Sequence, residues 1–385
     1  MLFIKNGTIL TMEGQNYEKF SILLKNGKIE SMGENIETPE DAEIIDASGK
    51  FVLPGLVDAH THLGVTGHGL RWEGSDHNET TDAVTPHLRT IDAINAFDRS
   101  FEDSLAGGVT TVATSPGSAN VIGGQITAMK IGGSKRVDKL VIKAPTAMKC
   151  ALGENPKNAH GQAKKSAPLT RMATAAIFRE AFLCAKEYMD KREKAEDGKL
   201  PDYNIKHEAL IPLLKREIPV HIHAHRADDI HTAIRLLKEF DLKGIIIHCS
   251  EGHLVADDLL EAGYPVLIGP TMGFSGKPET ANKSFETVGI LNRKGIKATI
   301  TTDHPVIPLE HLNLCASLAV KAGMDEEEAL KSITIYPAEI MGLGDRLGSL
   351  KIGKDADVSI WDKNPLDATS KVLYTIIDGK IVYSA

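Results

Sequence analysis

The alternation of apolar and polar positions divides the chain into two β-rich ends and a different middle. Over residues 1–53, short apolar runs are punctuated by Asn6-Gly7 and Asn26-Gly27, dipeptides that favour tight hairpin turns. The pattern predicts two strands around Asn6-Gly7. The last forty residues resemble the first fifty. Runs over 356–361 and 372–377 read as strands, and Asp378-Gly379 as the turn before a strand over 380–383. The middle alternates between two periods. Short apolar runs over 108–113, 139–142, 218–222, 244–247, 264–268 and 296–300 read as strands, as does 51–57 at its entrance. Helical spacing occupies 173–192, 229–240 and 325–333. Strand–helix alternation over this length predicts an α/β fold, a (β/α)8 TIM barrel over residues 54–344. Residues 1–53 and 345–385 are expected to form one small β-sandwich from both termini. A doubly wound open sheet is the structural alternative, but no G-x-G-x-x-G fingerprint follows a first strand.

Composition narrows the partners. The 385 residues are 42% hydrophobic and 25% charged, an ordinary globular balance. No apolar run reaches membrane-spanning length, and the first ten residues are too short and polar for a signal peptide. A membrane partner is therefore not expected, and a cytoplasmic location is. The net charge of −8 without a basic stripe argues against nucleic-acid binding. Cys150, Cys184, Cys249 and Cys315 form no C-x-x-C pair and read as free thiols. The expected assembly is a homo-oligomer acting on a small molecule.

The chemistry collects at strand ends. Asp58-Ala-His60-Thr-His62 closes the first apolar run of the middle region, and residues i and i+2 of a strand share a face. His223-Ala-His225-Arg226, His248-Cys-Ser-Glu251-Gly-His253 and Asp303-His304 each follow a later apolar run. In a barrel those ends share one face, so the clusters converge. Histidine with aspartate points to a divalent metal, with zinc the default. The plain readings are a polar rim for His225 and Arg226, and small core residues for Cys150 and Cys249. The glycine-rich stretch 115–125, which contains Asn120, reads either as an anion cradle or as a tight loop. Residues 64–90 hold Arg71, Trp72, Glu73, Asp76, His77 and Asn78 and read as a substrate-covering loop.

The stretch Val-Leu-Pro-Gly-Leu-Val-Asp-Ala-His-Thr-His over 52–62 resembles the amidohydrolase superfamily. So does Leu-Gly-Ser-Leu-Lys-Ile-Gly-Lys-Asp-Ala-Asp-Val-Ser-Ile-Trp over 347–361. The resemblance spans nearly the whole chain and is strongest to the imidazolonepropionase-related branch. It implies metal ligation by His60 and His62 from the first barrel strand, His223 from the fifth, His248 from the sixth and Asp303 from the eighth. The fourth strand offers two candidates, Lys149 as a carboxylated lysine and Glu154 as a carboxylate. The implied activity is hydrolysis of an amide or cyclic-amide C–N bond by a metal-activated water, through one or two ions. Asp303 would act as general base and then acid, and His248 would bind a second ion or the oxyanion. His225, Arg226, His253, Trp72 and Asn120 are the expected substrate contacts. Arg71, Arg89, Lys157, Arg226 and Lys277 fall in expected mouth loops, which points to a carboxylate-bearing substrate. The alternatives are an Xaa-dipeptidase, a deaminase and a non-catalytic scaffold. Deaminases of the superfamily usually carry a glutamate where this chain has Arg226.

Overall fold

The computed structural model describes residues 1–195 and 199–385. Two eight-stranded sheets organise it. The first takes β1 (Leu2–Leu10), β2 (Asn16–Lys25), β3 (Lys28–Gly33), β4 (Glu43–Asp46) and β5 (Phe51–Pro54) from the start of the chain. From its end it takes β14 (Val358–Trp361), β15 (Val372–Ile377) and β16 (Lys380–Ser384). Its order is β16-β15-β14-β5-β1-β2-β3, with β4 beside β1. Both ends of the chain thus build one layer around Ile4, Ile22, Val52, Val358 and Ile376. Asn26-Gly27 and Asp378-Gly379 turn hairpins as the pattern predicts. Asn6-Gly7 does not. Asn6 adopts a left-handed φ of 61°, and the register with β2 shifts between Ile4 and Gly7. The dipeptide makes a bulge inside one strand, which re-aims the chain without reversing it.

The second sheet is the barrel, nearly closed, with β6 (Leu56–Thr61), β7 (Val109–Thr114), β8 (Ile122–Lys130), β9 (Val141–Ala151), β10 (Val220–Ala224), β11 (Gly244–His248), β12 (Val266–Ile268) and β13 (Ala298–Ile300) adjacent in sequence order. The expected parallel arrangement holds except at β8, which runs antiparallel to both neighbours. That strand begins in the last four residues of the glycine-rich stretch, at Ile122. Gly124 has φ 138°, and a Cβ there would stand 2.7 Å from the Leu88 carbonyl. Glycine lets the residue 84–89 segment lie against the strand, as the Arg89–Gln125 bridge shows. The strand expected over 139–142 begins only at Val141, because Val137–Leu140 forms a helical turn.

Small and branched side chains fill the barrel, among them Val57, Ala59, Ala113, Ala128, Ala147, Ile247 and Leu267. The seam between β6 and β13 is fastened by Asp58, which is fully buried. Its Oδ2 accepts hydrogen bonds from the Thr302 amide at 2.8 Å and the Thr302 hydroxyl at 2.7 Å. Its Oδ1 accepts from the His60 amide at 3.0 Å. One carboxylate therefore sets the spacing between His60 and the chain leading to Asp303. Among the described residues, no helix is long and apolar enough to cross a membrane.

Candidate active site

Each barrel strand that the sequence ends in histidine delivers that histidine to the mouth. His60 and His62 turn their Nε2 atoms to Asp303 Oδ1, at 3.3 and 3.2 Å. Lys149, 1% exposed on β9, brings Nζ to 3.1 Å from His60 Nε2. His248 closes the ring, its imidazole 5.5 Å from that of His60 and 4.5 Å from that of His223. His225 stacks on His248 at 4.5 Å with the rings 2° from parallel. His248 and Asp303 hold left-handed backbone angles, φ 73° and 52°. Such conformations cost of order 1–3 kcal/mol and gather at functional sites.

The donor set fits divalent cations. Ligand atoms of His60, His62 and Asp303 lie within 4.8 Å of one another, and so do those of His223, His225 and His248. Asp303 Oδ1, near the His60 and His62 Nε2 atoms but in no aligned hydrogen bond with them, and His223 Nδ1 are buried without hydrogen-bond partners. Buried polar atoms are normally satisfied, so these orphans mark a place built for an occupant. The outer bonds fix which nitrogen faces inward. His62 Nδ1 donates to the Ser115 carbonyl at 2.8 Å, and His248 Nδ1 to the Gly269 carbonyl at 2.6 Å. Burial holds His60 and His248 far below the usual imidazole range, in the neutral form that ligates. Burial also pulls the Lys149 amine down to about 8. The Asp303 carboxyl stays ionised. Burial pushes it up, but His248, His60 and His62 overcome that and hold it well below the carboxylate range.

Lys149 stands inside this cluster and Glu154 outside it. Glu154 begins the helical turn after β9, where its Oε2 accepts from the Glu279 amide at 3.2 Å. Glu279, which no sequence pattern marks, is buried with Oε1 3.2 Å from His223 Nε2. Burial pushes its carboxyl up, yet the adjacent His223 and His225 win and bring it down to about 2. The cluster opens on a cavity of about 730 Å³ lined by His62, His77, Asn78, Asn155, Asn158, Gln162, Lys277 and Asp303. His77 and Asn78 come from the 64–90 loop, which covers this side of the mouth.

The other expected substrate contacts lie elsewhere. Asn120 is buried, and its amide is spent on Thr85, His160 and the Glu79 carbonyl. Trp72 is 86% exposed. Arg226 pairs with Asp228, and His253 bonds Thr287. None of these four lines the cavity. A second cavity, of about 570 Å³, opens at the opposite end of the barrel. Its Arg216 and Lys297 are already paired with Asp241 and Glu339, and among the described residues no cluster of candidate ligands lines it.

Residues 51–382 match the amidohydrolase family. The chain belongs to that family. It is accordingly a metal-dependent hydrolase acting on C–N bonds. A crystal structure of an amidohydrolase from Thermotoga maritima MSB8 is 42% identical, covers all of both chains and superposes with a TM-score of 0.97. The amidohydrolase tasK of Hapsidospora irregularis is 30% identical across 93% of this chain, which spans only 39% of that protein's length. A dihydroorotase of Aquifex aeolicus is 26% identical over 99% of both chains. An imidazolonepropionase of Mesorhizobium japonicum is 25% identical over 94% of this chain and 91% of its own. The resemblance read from residues 52–62 and 347–361 is thus borne out at the level of the family.

Proposed function

We propose that this amidohydrolase cleaves an amide or cyclic-amide C–N bond in a small substrate that carries a carboxylate, with zinc as its cation. The observation that carries the reading is that His62 and Asp303 of the ligand cluster line a cavity with one cationic side chain. Among the described residues lining that cavity, Lys277 is the only lysine or arginine. Its Nζ donates to Asn155 Oδ1 at 3.1 Å, which leaves two of three N–H donors for a ligand. About 730 Å³ suits a small molecule. Likeness to an imidazolonepropionase and a dihydroorotase supports a cyclic amide.

His60, His62, His223, His248 and Asp303 would hold the cations. Bound there, they would polarise the scissile carbonyl and lower the pKa of water towards about 7. Asp303, anionic and facing the cavity, would accept a proton from the attacking water and return it to the leaving nitrogen. Lys149 Nζ, partly neutral near pH 8, would add to carbon dioxide with loss of a proton. That exchanges an ammonium beside His60 for an anionic oxygen donor.

The test is a panel of cyclic amides, N-acyl amino acids and dipeptides, each beside its carboxamide analogue. Carboxylate forms should be preferred by about tenfold or more in kcat/KM, and Lys277→Met should remove most of that preference. Equal rates on both series, or no hydrolysis by the metal-loaded enzyme, would overturn the reading.

A further inference from the structure

The loop after β12 sends one carboxylate inward. Glu279 is only 1% exposed although it lies outside every strand. Its Oε1 accepts from His223 Nε2 at 3.2 Å and lies 3.7 Å from His225 Nε2. Its Oε2 accepts from the Glu154 amide at 3.2 Å, while Glu154 Oε2 accepts from the Glu279 amide at 3.2 Å. Two glutamates thus exchange backbone hydrogen bonds between the end of β9 and the β12 loop. Gly153 makes room for the exchange, since a Cβ there would stand 2.8 Å from Glu279 Oε2.

The consequence falls on His223. An ionised carboxylate only accepts, so His223 carries its proton on Nε2 and keeps a lone pair on Nδ1. That Nδ1 is buried and unpartnered. Its neighbour His248 is turned the opposite way: it donates Nδ1–H to the Gly269 carbonyl and so keeps its Nε2 lone pair. His225 Nδ1 pairs with the Ser250 hydroxyl at 2.7 Å. We propose that Glu279 is the positioning residue for His223. It fixes the Nε2–H tautomer so that Nδ1 is the ligand atom. Through its exchange with Glu154, it also makes seating of the β12 loop a condition of cation binding on the His223–His248 side. This rests on the reading of the cluster as a cation centre.

The experiment compares wild type, Glu279→Gln and Glu279→Asp. Zinc retention is measured by chelator competition, and the tautomer by 15N shifts of histidine-labelled, metal-free protein. A glutamine amide can offer N–H to Nε2, so Glu279→Gln should hold zinc about 10–100-fold less tightly and give His223 a mixed tautomer. Its metal-free melting temperature should stay close to wild type. Glu279→Asp should keep the Nε2–H signature and recover part of the affinity. Wild-type affinity and tautomer in Glu279→Gln overturn the proposal. Lost affinity with an unchanged tautomer overturns it too, since Glu279 would then act by another route. A wild type that binds no divalent cation defeats the parent reading instead, while the metal-free tautomer still reports on Glu279.

Discussion

The two ends of the barrel both bury charge, but they do so in opposite ways. At the end away from the mouth, Lys130 closes β8 and lies 3.0 Å from Asp355, 3.0 Å from Asp357 and 2.5 Å from Asp378. Asp355 also takes Lys28 and Arg346, at 2.6 and 2.8 Å. Burial works against the Lys130 ammonium, but Asp357, Asp378 and Asp355 together raise its pKa above the usual lysine range. Cations and anions there answer one another from within the chain, with only Asp357 Oδ2 left unpartnered among the described residues of that cluster. At the mouth, by contrast, imidazoles meet two carboxylates, Asp303 and Glu279, and one amine, Lys149, and several buried atoms have no partner. The first arrangement joins the terminal sheet to the barrel. The second leaves buried polar atoms open, and its donor groups could hold a cation. Buried charge that is self-satisfied marks architecture, whereas buried polarity left open marks chemistry.

Substitutions should separate the two ends. The largest effect is expected from Asp303→Asn, which should lower kcat by roughly 10²–10⁴-fold while the thermal midpoint of the metal-free protein moves little. Steady-state kinetics and a melting curve check it, and a large loss of stability would remove the distinction. Lys130→Met should show the reverse. Removing one partner of a buried ionic group costs about 3–5 kcal/mol, read by denaturant unfolding, with activity per folded molecule retained. Asp58→Asn should be milder, about 1–3 kcal/mol, because an amide cannot accept on both sides and leaves either the His60 amide or the Thr302 donors unpaired. The smallest effect concerns Lys149 in metal-free protein. With its pKa lowered to about 8, the neutral and reactive amine grows as pH rises towards that value. Carbamate formation, followed by 13C NMR with labelled bicarbonate, should therefore increase from pH 7 to about 8 and vanish in Lys149→Arg.

The fold and the histidines were legible because each is written locally. An apolar run ending in His60, His223 or His248 announces both the strand and its polar end. β8 was not legible. Its two glycines and Gln125 break the apolar run, and the need for glycine comes from a segment some forty residues earlier that packs against it. Glu279 was hidden for a related reason. It sits in a loop with no periodicity, and only the folded chain brings it against His223. The structure separates Lys149 from Glu154 at the end of β9, where Gly153 redirects the chain and leaves Lys149 on the strand facing His60. Asn120, Arg226 and Trp72 illustrate the converse. Polar or aromatic residues near a mouth find local partners or solvent as readily as a substrate.

The sheet shared by the two termini sets an order of events during synthesis. β5 needs β14 beside it, and Lys130 needs Asp355, Asp357 and Asp378. A nascent chain emerging from the ribosome holds the histidines and Asp303 long before these partners exist. Lys130 stays wet until β14 to β16 arrive, and the layer that seals the barrel is completed only once those strands have emerged. Chains arrested before residue 355 should therefore remain protease-sensitive at β8, whereas full-length chains should not.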